Sequence, residues 1–306
     1  MRFLLAMLLL LPSLARAAVL NVEIHFAPFT GDLKSSKVQT VPGKASVYVN
    51  NVLLTEMPVQ RDTVPVLFDA REIAAPVWIT SQSLGPGLRK GKNKVRIEFE
   101  PTDPKAAYMT QLRWNEVTDQ VTRGTSASGA STSTNQGAGG ADVKSVTGKV
   151  VLEREFVADF ATDRPWHHYP AVASLSDEDK KRLAALVRAR MDVWKPDFAA
   201  AYKTLSGVKG IDVAEVRRNK CLEAAYAAGV RITSTAPDQL EFQTTGNPEV
   251  VVKSRKGELY PVADTKSFDK IKGNELQMCA GIVLSILFPD RLVVVRNPAG
   301  EWQVAY

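Results

Sequence analysis

The stretch Lys92-Asn93-Lys94-Val95-Arg96-Ile97-Glu98-Phe99-Glu100 decides the reading of the first half of the chain. Val95, Ile97 and Phe99 are separated by single charged residues. That period of two puts the three apolar side chains on one side of an extended strand and the charges on the other. The same alternation recurs on either side of it. Val22, Ile24 and Phe26 alternate with Glu23 and His25; Ala45, Val47 and Val49 with Ser46 and Tyr48; Val64, Val66 and Phe68 follow, and Leu112 and Trp114 flank Arg113. Pro28, Pro42-Gly43, Pro58, Pro76, Gly85-Pro86-Gly87 and Pro101 punctuate these runs. Five or more half-buried strands with no long helix among them predict an antiparallel β-sandwich over residues 18–121.

Two pieces of this module carry a resemblance. Val47-Tyr48-Val49-Asn50-Asn51 reads as a strand entering an asparagine turn, and Leu88 to Ile97 as a Gly-Lys-Asn turn launching another strand. Together they resemble the galactose-binding-like jelly-roll modules attached to secreted bacterial enzymes. The resemblance implies a sandwich that binds glycans or packs against a neighbouring module.

Thr122 to Gly148 changes character: 20 of its 27 residues are Gly, Ala, Ser or Thr, without apolar periodicity. Such a segment buries too little to offset its ordering entropy, which predicts a disordered linker over 122–148. The alternative is a long loop between strands Met109–Val121 and Lys149–Phe156, which leaves open the domain to which Lys149–Phe156 belongs.

From residue 149 a second, α+β domain is expected, helices first and an antiparallel sheet after them. Ser176 followed by Asp177, Glu178 and Asp179 is a helix start with a capping box. Leu183, Leu186, Val187, Met191 and Trp194 then share a helical stripe. Short strands are expected at Val230–Ser234, Leu240–Thr244, Glu249–Lys253 and Leu259–Val262, with a closing hairpin around Asn297-Pro298-Ala299-Gly300. Glu275–Leu287, continuously apolar, is open between strand and helix. Helices, then a sheet ending Gly300-Glu301-Trp302-Gln303-Val304, resemble the nuclear-transport-factor-two-like cone, which implies a cavity between sheet and helices.

The N-terminus reads as an address. Met1-Arg2, the apolar run Phe3–Leu11, Pro12 and Ala15-Arg16-Ala17 form a secretory signal peptide over 1–17, cut between Ala17 and Ala18. The protein is then expected in the periplasm or outside the cell, not membrane-spanning once the signal is removed. Losing Arg2 and Arg16 lowers the formal charge from +6 to +4, too mild a balance to indicate a nucleic-acid partner.

Cys221 and Cys279 are expected to pair in an oxidising compartment; two buried thiols or a redox pair are the alternatives, although no Cys-x-x-Cys is present. Trp166-His167-His168-Tyr169-Pro170, with Asp159 and Asp163 nearby, is the one cluster with catalytic or metal-ligating residue types. It lacks a ligand spacing such as His-x-x-x-His and is bracketed by prolines. His25 stands alone on a strand. Arg89, Lys90, Lys92, Lys94 and Arg96 form a basic run read as the wet face of a strand. No phosphate loop, dinucleotide fingerprint, nucleophile elbow or zinc-protease motif is found, and nothing calls for a metal or a cofactor. The expectation is a non-catalytic two-module binding or adaptor protein of the bacterial envelope, with an envelope protein or cell-envelope glycan as ligand. The alternatives are an enzyme using His167, His168 and Asp163, and an assembly or chaperone-like factor.

Overall fold

The computed structural model describes residues 21–67, 71–80, 84–125, 131–208 and 210–306. The expected signal peptide and its Ala17–Ala18 cut lie outside them. The chain divides into two compact units, Met1–Ser46 with Glu56–Thr162 and Val47–Thr55 with Asp163–Tyr306. Among the described residues no helix is long and apolar enough to cross a membrane.

The first unit is antiparallel β-structure. One sheet contains β1 (Asn21–Thr30), β2 (Lys37–Thr40), β5 (Thr63–Leu67), β6 (Glu72–Ile73), β7 (Val77–Thr80), β9 (Ala107–Thr125) and β10 (Ser131–Thr147), in the order β10-β9-β1-β2-β5-β6 with β7 also paired to β1. The other runs β11-β8-β3-β4, from β3 (Gly43–Val49), β4 (Val52–Val59), β8 (Gly91–Pro101) and β11 (Val150–Ala158). The alternating residues meet where the periodicity places them. Phe26 of the first sheet and Phe99 of the second lie 5.7 Å apart between ring centroids, with Tyr108 5.6 Å from Phe99. Ile24 and Ile97 are likewise buried. Each such side chain contributes about 2–3 kcal/mol of burial. Asn50 and Asn51, with φ of 49° and 66°, form the two-residue turn between β3 and β4, a left-handed pair that asparagine tolerates.

The glycine- and serine-rich tract differs from its expectation as a linker. Ser131–Thr147 is β10, paired along its length with β9. Gly140 stands opposite Trp114, and a Cβ on it would come within 2.5 Å of the indole. Glycine here makes room for a large ring across the strand pair. Arg154 of β11 lies 3.6 Å above the same ring. β11 pairs with β8 from Val150 to Ala158, so the segment expected to open the second domain completes a sheet of the first, and the division falls after Thr162.

The second unit contains α1 (Asp177–Ala189), α2 (Ala199–Ser206), α3 (Val213–Asn219), α4 (Cys221–Ala227) and α5 (Asn274–Leu287), with a meander of β12 (Leu240–Thr244), β13 (Glu249–Ser254), β14 (Arg291–Arg296) and β15 (Trp302–Val304). The ambiguous run from Glu275 is helix α5, and it buries Ala280, Val283, Leu284 and Leu287 at helical spacing. Arg190 donates from Nε to the Leu287 carbonyl at 2.7 Å, a cation closing that helix's C-terminus. The expected strands Val230–Ser234 and Leu259–Val262 reduce to one bridge, Ile232 to Val262. Between helices and sheet lies a packed core: Leu183, Leu205, Leu222, Val250, Val294 and Leu284 belong to one buried cluster. Side chains thus occupy the space that the cone resemblance assigns to a cavity. Within the same unit, Val52 and Leu53 are buried with Val251 and Val293, and Asn247 Nδ2 donates to the Asn50 carbonyl at 2.6 Å.

Candidate functional site

The cluster singled out in the sequence assembles around one carboxylate. Pro165–His168 is a single 3-10 turn. Asp163 Oδ2 sits 2.8 Å from His168 Nε2, and its Oδ1 lies 3.4 Å from His167 Nδ1. The hydrogen bond with His168 is the main cause holding the Asp163 carboxyl below its ordinary pKa. The two rings diverge. The His168 side chain is 70% exposed and that of His167 is 2% exposed, with Nδ1 accepting from the Arg164 N–H at 3.3 Å. His167 packs edge-on against Trp166. A ring so enclosed cannot face a substrate beside its neighbour; the geometry is that of a turn tied down by a carboxylate. Among the described residues no group of three or more His, Cys, Asp or Glu is placed to hold a metal ion.

The other sequence candidates are also accounted for. Cys221 and Cys279 form a disulfide, Cα–Cα 5.8 Å, joining the start of α4 to α5. This is consistent with an extracytoplasmic environment. Two residues of the basic run are ion-paired, Lys94 with Glu153 of the neighbouring strand at 3.1 Å and Arg96 with Glu98 of its own strand, and Glu98 also meets Lys149 at 2.9 Å.

A different place collects an exposed aromatic ring and half-buried polar groups. On β1, Val22, Ile24 and Phe26 point into the core, which turns His25 to the opposite face. Strand register sets His25 between Arg113 of β9 and Trp78 of β7. Trp78 is outward because Val77 and Ile79 are buried on either side of it. The indole stacks on the His25 ring at 5.7 Å and 14° and is 60% exposed. Further along this face, β5 and β6 fold over and bury Ala27, Phe29, Val38, Val66 and Ile73 in a small second cluster. Gln111 fastens that cover, accepting from Ile73 N at 3.0 Å and donating to the Arg71 carbonyl at 2.9 Å.

Between the cover and Trp78 lies a cleft of about 570 Å³, lined by Thr40, Gln60, Asp62, Val64, Arg113 and Leu67 among others, with Leu67 54% exposed. Burial and the Arg113 charge lower the pKa of His25 to about 4, so it is neutral at physiological pH. Arg113 is ion-paired with Glu72, and burial pushes its own pKa down while Glu23 opposes the shift. The floor therefore carries polar groups whose charges are balanced by acids. The cleft can receive a ligand with one apolar face and many hydrogen-bonding groups. Sequence reading passed over Trp78. Its signal was the alternation around Val77 and Ile79, which already turned a tryptophan toward water.

No family model, no curated protein and no solved structure matches this chain. What it does has to be argued from the cleft and the surfaces themselves.

Proposed function

We propose that this chain is an exported, non-catalytic binding protein whose first unit holds a neutral cell-envelope glycan against Trp78. The exposed indole, stacked on His25 at the mouth of a cleft, carries this reading. Leaving a tryptophan open to water forgoes about 2–3 kcal/mol of burial, which a fold accepts where a ligand covers the ring. The C–H face of a pyranose suits such a ring, and its hydroxyls suit Thr40, Gln60, Asp62 and Arg113 around it. The volume is that of a small-ligand cleft, roughly 300–1,000 Å³. Because Arg113 is matched by Glu72, a neutral sugar fits better than an anionic one. The resemblance of Val47–Asn51 and Leu88–Ile97 to galactose-binding-like modules supports the same ligand class, and the disulfide supports an extracytoplasmic setting.

Titration calorimetry of the full chain against neutral and acidic oligosaccharides tests this. The expected result is binding of a neutral glycan that Trp78→Ala weakens at least tenfold with an unchanged melting temperature, the side chain being largely exposed. Equal binding by Trp78→Ala, or no binding of any glycan, overturns it.

A further inference from the structure

We infer that the second unit carries a separate site, a groove that takes an extended acidic peptide as an added strand. β12 is the edge of its sheet, and among the described residues no strand pairs with its outer side. Arg255 N–H donates to the Gln239 carbonyl at 2.9 Å, which sets the phase of the ladder. Glu241 and Gln243 exchange bonds with β13, while Phe242 and Thr244 turn their N–H and C=O groups outward. β12 contains no proline and one charged residue, Glu241, so the usual devices that blunt a sheet edge are missing from it.

Helix α1 shares the buried core with this sheet, Leu183 and Val187 lying in one cluster with Leu240 and Val252. Where the helix meets β12 is a groove of about 710 Å³, lined by Lys180, Lys181 and Ala184 on the helix, Leu240 and Phe242 on the strand, and Arg255. A sheet edge next to a helix lets an added strand pair through its backbone while alternate side chains drop between strand and helix. Charge selects which strand fits. Lys181 and Arg255 have no acidic partner among the described residues, and Lys180 is held by Asp177 at 3.1 Å. The two acids lining the groove are engaged, Asp238 by Gln239 Nε2 at 3.1 Å and Glu241 by Lys253 at 4.0 Å. Arg255 Nε already covers the Leu240 carbonyl at 3.2 Å, so the added strand pairs from Phe242 onward. That span of roughly 10 Å admits three or four peptide residues, an apolar one over Ala184 and acidic ones toward Lys181 and Arg255.

The probe is a fluorescein-labelled octapeptide of alternating Glu and Val, with its Lys/Val counterpart as control, titrated with the full chain by fluorescence anisotropy. The acidic peptide is expected to bind at least tenfold more tightly, the gap narrowing as salt rises. Thr244→Pro removes one outward N–H and spares the β13 ladder, so it should cost tenfold or more in affinity. Lys181→Glu should erase the preference for acid, a readout that stands even if the proline variant melts early. Trp78→Ala should change nothing here. Equal affinity for the two peptides, or Lys181→Glu binding the acidic peptide like the parent, overturns the inference. So does a concentration-dependent dimer abolished by Thr244→Pro, which would give the edge to a second copy of the chain.

Discussion

Asp179 bonds to three other residues at once. Its backbone N–H donates to Ser176 Oγ at 3.1 Å, and its carboxylate accepts from Ser176 N and Oγ, from Trp302 Nε1 at 3.0 Å, and faces Arg296 Nη2 at 2.8 Å. Burial alone would push the carboxyl up, but the bonds from Trp302 and Ser176 and the charge of Arg296 outweigh it and hold the pKa at about 2. A folded pKa below the unfolded one contributes stability that is complete above about pH 4 and is lost as pH falls toward 2. Asp179→Asn should therefore lower stability by about 1–2 kcal/mol at neutral pH. Denaturant melts repeated down to pH 2 should show that difference shrinking; a gap independent of pH would remove the argument. The capping half of this residue's role was legible, because Ser176 and Asp179 have the box spacing. Its bond to a tryptophan 123 positions away was not, since only the packed sheet brings β15 to the start of α1. The cleft follows the same logic. Alternation turned His25 outward and carried the same unread signal for Trp78, but their stacking needed the register of β1 with β7, which no local pattern encodes.

Among the elements, β10 was least legible. Its composition reads as chain that cannot bury surface, and that reading holds for the segment in isolation. Pairing with an already ordered β9 changes the balance, because the ladder satisfies the backbone and Gly140 accepts the Trp114 ring. Gly140→Val should disrupt the pairing around Trp114 by about 1–3 kcal/mol, read as lower thermal stability and a red shift of tryptophan emission; a neutral effect would mean that the ring has another way to relax. α5 was ambiguous for the opposite reason. A continuous apolar run has no period to read, and Met278 and Ile282 stay exposed on its far side at 63% and 51%, so apolar residues on both faces hid the helical stripe. By contrast β8 was legible at once by strict alternation, and β13 was expected as a short strand over nearly its observed length.

At the scale of the molecule, the chain divides into two compact units whose limits were not readable in the sequence. The compositional break at 122–148 suggested the boundary, whereas the cores divide after Thr162, and only sheet pairing could assign β11. The Cys221–Cys279 bond lies wholly in the second unit and closes 58 residues of sequence, worth about 4 kcal/mol on the chain-entropy estimate. Replacing both cysteines by serine should lower one calorimetric transition and leave the first unit's unmoved; a shift of both would show that the two cores melt together. The hairpin tip Val47–Thr55 has a consequence of its own. Its residues belong to the second unit, yet they leave the ribosome, and cross any export channel, well over a hundred residues before Val251 and Val293, which they cover. Until the chain is nearly finished, Val52 and Leu53 have no core to enter. The later unit is thus completed by an earlier piece of chain, and a fragment starting at Asp163 would leave those two valines bare to water.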